Sequence, residues 1–551
     1  MRLFCFSLLL IFTFGCSKSK TNHSNLLDFV PKNTTLIIKT SNLESLNNSI
    51  SNSDFLQRIS NTTTYKNLEN KLKPLSNLNP SNNILICFSH DENDSLQYSL
   101  ATKLTKTLFV KDSLPNYTEE VLSYKNKSII KSKINKSTFY STVIDSTFFA
   151  SSSKNIVDEA FNSFNNDVEL EKIYNTSGHD KTFSMVIKPN TNFSSSFFVE
   201  NYISLATFTE YIAIDVELNQ NDTYFNGITK ASDSTESLIN IFRNTTPHVN
   251  QIQNITPSNS DGFMSFTFDD FEILKTNLLK FNKKDSITNS MTLFNDIIEV
   301  GVIYEDEKRA IVLNSTDIIA TEDALLSEQT IADTYREINI YNFSQPVIFA
   351  NTFTPLIKAN KVNTYCVLDN FFVFAEQTEI LQNIIANYQN KTTVSNKLYF
   401  KDVKEKLSDA SSLLQVTNAA TLKTILNKNI KTNTNYKLNN YNISAIQFIY
   451  DNNFAHVNGI IKKNKTRASI NSVSEELNIK LDKALLNAPQ FVKNHITKQK
   501  EIVVQDINNN LYLISNKGKI IWKKQLQGPI LGKIEQIDIY RNGRLQLVFA
   551  T

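Results

Sequence analysis

Glycine is scarce in this chain: ten residues in 551, beside eleven prolines, four cysteines and one tryptophan. A loop that cradles phosphate needs several glycines close together, because only a backbone without Cβ lets successive N–H groups close on the anion. No such cluster exists, and no Gly-x-Ser-x-Gly nucleophile elbow either. The cysteines form no Cys-x-x-Cys pair, and the six histidines (His23, His90, His179, His248, His456, His495) form no His-x-x-x-His pair. Zinc at either spacing is therefore disfavoured. Charge of one sign is missing too: 57 basic residues against 54 acidic ones give a net +3. With no large basic patch, nucleic acid is not an expected partner.

Long apolar runs are also few. Leu3 to Phe14, preceded by Arg2, is a run of mostly apolar residues, too short for a bilayer span of ~20 residues but suited to the core of an export signal. It ends at Gly15-Cys16 and turns polar at Ser17-Lys18. The Gly15-Cys16 end resembles the lipobox of bacterial lipoproteins, although Thr13 stands where that family favours leucine. The resemblance implies a signal peptide at 1–15, a lipid on Cys16 and a tether over 16–26, with the membrane as a partner through that lipid. Ser17, in place of the aspartate that retains lipoproteins in the inner membrane, implies the periplasmic side of the outer membrane. Cys5 would leave with the signal, so only Cys87 and Cys366 could pair, and that pairing stays open.

Two segments, 27–243 and 255–475, read as copies of one unit. Each opens with a proline, Pro31 or Pro257, near an apolar strand. Ser41-Asn42-Leu43-Glu44 and Asp269-Asp270-Phe271-Glu272 then read as capping boxes, with Ser41 or Asp269 as cap and the glutamate reaching back. Leu43, Leu46 and Ile50 match Phe271, Leu274 and Leu278, one buried helical stripe, 228 positions apart. Val143-Ile144-Asp145 matches Val367-Leu368-Asp369, with a helix after each. That helix carries Ile156, Val157, Ala160, Phe161 and Phe164 in one copy and Ile380, Leu381, Ile384, Ile385 and Tyr388 in the other. Asn226-Gly227-Ile228 matches Asn458-Gly459-Ile460 at 232. The strands between, such as Ile84–Phe88 and Glu299–Tyr304, predict α+β domains with mostly antiparallel sheets and amphipathic helices. The pattern is similar to the DUF3352-type envelope family of unknown function, which implies no catalytic residues.

From about Lys500 the chain turns all-β. Glu501–Asp506 and Leu511–Ile514 flank an asparagine turn, and Gly518–Trp522, Leu526-Gln527-Gly528 and Asn542-Gly543 follow. Residues 500–551 resemble one blade of the PQQ-like β-propeller family, with Trp522 at the blade tryptophan. A closed propeller needs at least four blades, so one blade implies either a truncated chain or strands added to the preceding sheet, and no PQQ or other cofactor.

The acidic groups Asp91-Glu92-Asn93-Asp94 and Glu305-Asp306-Glu307 fall at expected hairpin turns, and His90-Asp91 and His179-Asp180 in loops. Tyr540 and Arg541 interrupt the Asp538–Gly543 turn where a calcium loop needs oxygen ligands. No catalytic, metal or cofactor residue is therefore assigned, and Cys16 is the one expected site. The expected role is a non-enzymatic envelope lipoprotein that binds or scaffolds a protein or hydrophobic partner. A carrier of a lipid or hydrophobic ligand is the alternative, and a hydrolase whose site assembles only in three dimensions is a further one.

Overall fold

The computed structural model describes residues 25–80, 83–90, 95–109, 116–135, 137–161, 167–178, 181–189, 197–231, 237–284, 292–358, 361–432, 435–464, 479 and 481–551. The signal, Cys16, His23, Asp91–Asp94, Phe164 and His179-Asp180 lie outside them. The architecture is α+β, with one large antiparallel sheet and two small ones.

Strands β1 (Thr34–Thr40), β2 (Ile84–His90) and β3 (Leu96–Lys103) are followed by two hairpins. These are β4 (Tyr117–Tyr124) with β5 (Lys127–Ile134), and β6 (Ser137–Ile144) with β7 (Thr147–Ser151). Next come β8 (Phe183–Ile187), β9 (Tyr211–Leu218) and β10 (Asp222–Lys230). The second segment supplies β11 (Gly262–Thr267), β12 (Ile297–Glu305), β13 (Lys308–Ser315), β14 (Ile331–Tyr335) and β15 (Ile338–Asn342). It continues with β16 (Thr364–Leu368), β17 (Phe371–Ala375), β18 (Leu413–Thr417), β19 (Ile443–Asp451) and β20 (Phe454–Lys462).

From its outer edge inward, the first segment pairs in the order β4-β5-β6-β7-β3-β2-β1-β8-β9-β10. The second pairs as β14-β15-β16-β17-β13-β12-β11-β18-β19-β20, the same order strand for strand. The two are joined by β10 against β20, antiparallel, with Asn226 opposite Asn458. The segments therefore share a single 20-stranded sheet. Phe225 lies opposite Gly459 at this join, and a Cβ on Gly459 would stand 2.0 Å from the Phe225 ring. Glycine is what allows that ring to cross.

Helices cover both faces of the sheet. Helix α1 (Leu43–Asn52) lays Leu43 and Leu46 on Ile84, Ile86 and Phe88. Its counterpart α5 (Phe271–Asn282) lays Phe271, Leu274 and Leu278 on Met264, Phe266 and Val300. On the opposite face, α4 (Val168–Tyr174) packs on Ile37, Leu85 and Val186, after the short helix α3 (Lys154–Glu159). Helix α6 (Thr378–Gln389) buries Ile380, Leu381, Ile384 and Ile385 completely. At ~1.5–3 kcal/mol for each fully buried aliphatic side chain, those four residues fix that helix to the sheet. Helix α7 (Leu398–Lys404) lies beside it, and α2 (Asp54–Ile59) leaves the first segment to pack on the second.

The caps differ from the sequence expectation. Asn42, not Ser41, is the N-cap of α1 and accepts from Ser45 N–H at 2.8 Å. Asp270, not Asp269, caps α5. Asp269 instead accepts from Thr246 N–H at 2.9 Å, fixing the incoming chain. Neither glutamate reaches back: Glu44 pairs with Lys523 at 2.7 Å and Glu272 with Lys275 at 3.0 Å. Asp145 and Asp369 sit at positive φ (46° and 51°) in tight turns, so a strand comes between each motif and its helix.

Past the large sheet, β21 (Gln490–Lys493), β22 (Lys500–Gln505), β23 (Asn510–Ile514) and β24 (Ile520–Gln525) form an antiparallel meander. A hairpin, β25 (Leu531–Ile537) with β26 (Gln546–Ala550), covers one of its faces through Ile530, Ile534 and Leu547. The all-β region thus begins by residue 490 rather than 500. No propeller is formed among the described residues, because one four-stranded sheet and a hairpin do not close a ring.

Candidate functional site

Three places in the fold gather groups with chemical potential. The first lies inside the second segment. Strand β12 turns Glu299 inward, fully buried, opposite Thr267, in a stretch from Ile297 to Tyr304 that is otherwise apolar or glycine. Its carboxylate accepts from Ser265 Oγ (2.5 Å), Asn314 Nδ2 (3.0 Å), Gln251 N–H (3.0 Å) and Ile252 N–H (3.4 Å). Ser265 has its proton free for this bond because Asn250 Nδ2 donates to its oxygen at 2.8 Å. Burial pushes the Glu299 carboxyl above its ordinary value, and the donors pull against that push. Every partner donates and none accepts, so the group acts as a clamp. It holds the chain entering β11 against the sheet.

The second place is a cleft of about 270 Å³ where β9, β10 and β20 meet the end of α7 and the meander. Tyr224 and Ile460 face it, rimmed by Glu217, Lys406, Lys462 and Lys517. Glu217 lies 3.4 Å from both Lys181 and Lys517. Burial disfavours its charge, but Lys517, Asn219 and Lys181 outweigh that and hold its pKa below the usual value. The rim is thus a set of mostly exposed charges, some of them already paired, around an aromatic floor.

The third is the surface of the C-terminal region. Twelve of the 23 large apolar side chains exposed among the described residues lie between Leu485 and Val548. They include Phe491, Ile496, Ile539 and Tyr540, each more than 60% exposed. The same stretch, 481–551, holds eleven basic and five acidic residues, although the whole chain is only +3. The other eleven exposed apolar side chains are spread along the chain from Leu104 to Leu398.

The residues singled out in the sequence are not brought together. His90 ends β2 exposed, His456 stacks edge-on against Phe454, and His248 lies near Asp269. Glu305 accepts from Asn383, and Asp538 accepts from the N–H groups of Asn542 and Gly543, which closes its own turn. Among the described residues no group of three His, Cys, Asp or Glu could hold a metal. Cys87 and Cys366 are free, buried thiols in separate cores, each pushed up to about 12 by burial. In the sequence Glu299 reads only as the start of a strand. The available signal was a lone acid with inward parity in an apolar strand.

The fold is that of an α+β protein built on an extended antiparallel sheet. No family model matches the chain, and no curated protein matches it significantly. Among solved structures it is similar to crystal form IV of TP0453, at 10% identity over 42% of this chain and 91% of that one, with a TM-score of 0.25. Crystal form I matches at 10% identity over 42% and 90%, with a TM-score of 0.24. Likenesses this low carry neither fold nor function to this chain.

Proposed function

We propose that this protein is a tethered, non-enzymatic lipoprotein of the cell envelope whose role is to bind or scaffold a partner. The observation that carries the binding role is the crowding of exposed apolar residues into the C-terminal region, against a body whose sheet is covered by helices on both faces. The tether rests on the leader before Cys16, its resemblance to a lipobox, and Ser17, which favours the outer membrane. The identical strand order of the two segments supports reading them as copies of one unit, in keeping with the likeness to the DUF3352-type family. The four-stranded meander is of the size and pattern of one propeller blade.

The alternatives have less behind them. A carrier of a lipid or hydrophobic ligand calls for an enclosed apolar cavity, whereas the 270 Å³ cleft is open and rimmed with charge. A hydrolase whose acid groups converge in three dimensions would be favoured by a deep pocket with paired, buried carboxylates, whereas the carboxylate of Glu299 is met by Ser265 and Asn314 rather than by a second acid. Labelling cells with a fatty-acid probe tests the tether: the parent chain takes up label and Cys16→Ser does not. Label retained by Cys16→Ser overturns the lipid assignment.

A further inference from the structure

The C-terminal region has one end at which two turns stand side by side. Lys493 N–H donates to Gln536 Oε1 at 2.6 Å, and Gln536 Nε2 returns a bond to Lys493 carbonyl oxygen at 2.9 Å. One pair back, Ile534 N–H donates to Gln490 Oε1 at 3.0 Å. Strands β21 and β25 therefore point the same way, and the turns that follow them, 494–499 and 538–545, leave from the same end.

Both turns carry apolar side chains outward, where polar residues are usual. Ile496 is 77% exposed, Ile539 64% and Tyr540 74%. Neither turn is slack: Asn494 Oδ1 accepts from the N–H groups of Ile496 and Thr497, and the Asp538 carboxylate from those of Asn542 and Gly543. Around them stand Lys493, Lys498, Arg541 and Arg544, all exposed and none in an ion pair among the described residues. Asp538, the acid within the second turn, spends its oxygens on that turn's own backbone.

We infer that this end docks on an anionic lipid surface, with Ile496, Ile539 and Tyr540 entering the interfacial layer and the four cations lying at the headgroups. Apolar side chains on stiff turns offer area to be buried at little ordering cost, and a surrounding collar of cations is drawn to negative lipid. An uncharged surface would leave the collar without a partner. This deepens the binding role proposed above by naming its partner, and it does not depend on the lipid at Cys16.

The test uses the chain from Ser17 onward, which lacks Cys16 yet keeps every described residue. Flotation is compared between neutral phosphatidylcholine vesicles and vesicles with about one-third phosphatidylglycerol. The chain is expected to float with the anionic vesicles only, and to be released when salt is raised from about 0.1 M to about 0.5 M, as screening shortens the reach of the collar. Ile539→Glu with Tyr540→Glu should abolish flotation, while Lys493→Ala and Arg541→Ala should each weaken it about five-fold. Ile496→Ser, in the other turn, gives an independent reduction, and unchanged Trp522 fluorescence shows that the variants are folded.

Equal binding to neutral vesicles, no binding to anionic ones, or binding that survives the double substitution overturns the proposal. So does retention of the chain by an acidic protein, through the same residues, without retention by vesicles. Because this chain cannot be lipidated, failure here leaves the labelling result at Cys16 to be judged separately.

Discussion

The two segments place the same strands in the same order, yet the polar centre between sheet and helix differs between them. In the first, Lys39 on β1 faces Leu85 on β2. Its ammonium donates to Ser177 Oγ at 3.2 Å and lies 4.5 Å from the Tyr174 ring of α4. Burial lowers the Lys39 pKa while Asp215 raises it. In the second, Thr267 and Glu299 hold the matching positions, and Lys404 of α7, the counterpart of Tyr174, feels the carboxylate. A cation on the strand beneath an aromatic helix residue has become an anion beneath a cationic one. The short helix before β1 caps itself, through Asn25 and Asp28. The one before β11 has its first N–H groups capped by Glu299. Strand order and apolar faces fix the architecture, and the buried polar centre can be rebuilt within it as long as each donor finds an acceptor.

The hardest test of that comparison is to make one segment like the other. Glu299→Leu copies Leu85, but leaves Gln251 N–H, Ile252 N–H and Asn314 Nδ2 buried without their acceptor. Each orphan costs ~1–3 kcal/mol, so a loss of about 3–5 kcal/mol is expected in denaturant unfolding. A loss below about 1 kcal/mol would show that the clamp is dispensable. The glycines at the join give the next effect. A Cβ at Gly227 would lie 2.0 Å from the backbone oxygen of Ala213, which cannot move alone. At Gly459 it meets the tip of the half-buried Phe225 ring, which can swing. Gly227→Ala should cost about 3 kcal/mol and Gly459→Ala about 1 kcal/mol, and the reverse order would break this account of the seam.

The same distinction decides what could be read from the sequence. The stripes Leu43-Leu46 and Phe271-Leu274-Leu278 were legible because helical spacing of apolar residues has one solution, burial. Asn226-Gly227-Ile228 and Asn458-Gly459-Ile460 were legible as a match, but not as neighbours, because which edges pair is set by tertiary geometry. The caps were misread by one residue, since Ser41-Asn42 and Asp269-Asp270 each offer two competent side chains in succession. Glu299 went unrecognised because its donors come from 251, 252, 265 and 314, too far apart along the chain for any local pattern. In the sequence the Asp538–Gly543 turn is weighed only as a calcium loop and 494–499 carries no signal of its own, and only the Lys493–Gln536 bonds put the two turns side by side.

A smaller effect separates the segments at their second contact. Asp54 of α2 reaches across to accept from Lys463 Nζ (2.8 Å) and Tyr441 OH (3.0 Å), besides Arg58 at 2.6 Å. Burial disfavours its charge, yet Arg58, Lys463 and Tyr441 together hold its pKa below the usual value. A depressed carboxyl stabilises the fold above the unfolded value near ~3.9 and loses that contribution as pH falls through the folded value. Asp54→Asn should cost about 1 kcal/mol at neutral pH, with partial exposure screening the pair, and should flatten the acid limb of the stability curve. An unchanged acid limb would mean that α2 is held on the second segment by Phe55 and Tyr441 packing without help from the charge.

The smallest effect is expected where the C-terminal region meets the first segment. Lys523–Glu44 at 2.7 Å and Lys517–Glu217 at 3.4 Å are both partly exposed. Each exposed pair gains little over water, ~0.2–1 kcal/mol, and high salt removes it. Lys523→Ala with Lys517→Ala should therefore leave the unfolding of the large sheet unchanged. It should lower the C-terminal region's protection from hydrogen exchange by no more than about five-fold, with no difference from the parent at about 1 M salt. A larger, salt-independent loss would mean that packing of α1 on β24, not charge, holds this region in place. The contrast between a body knit by shared strands and an end held by ions would then need redrawing. If the small effect is found, the body's stability is set at the clamp and the join, and the C-terminal region is free to meet a partner without disturbing either.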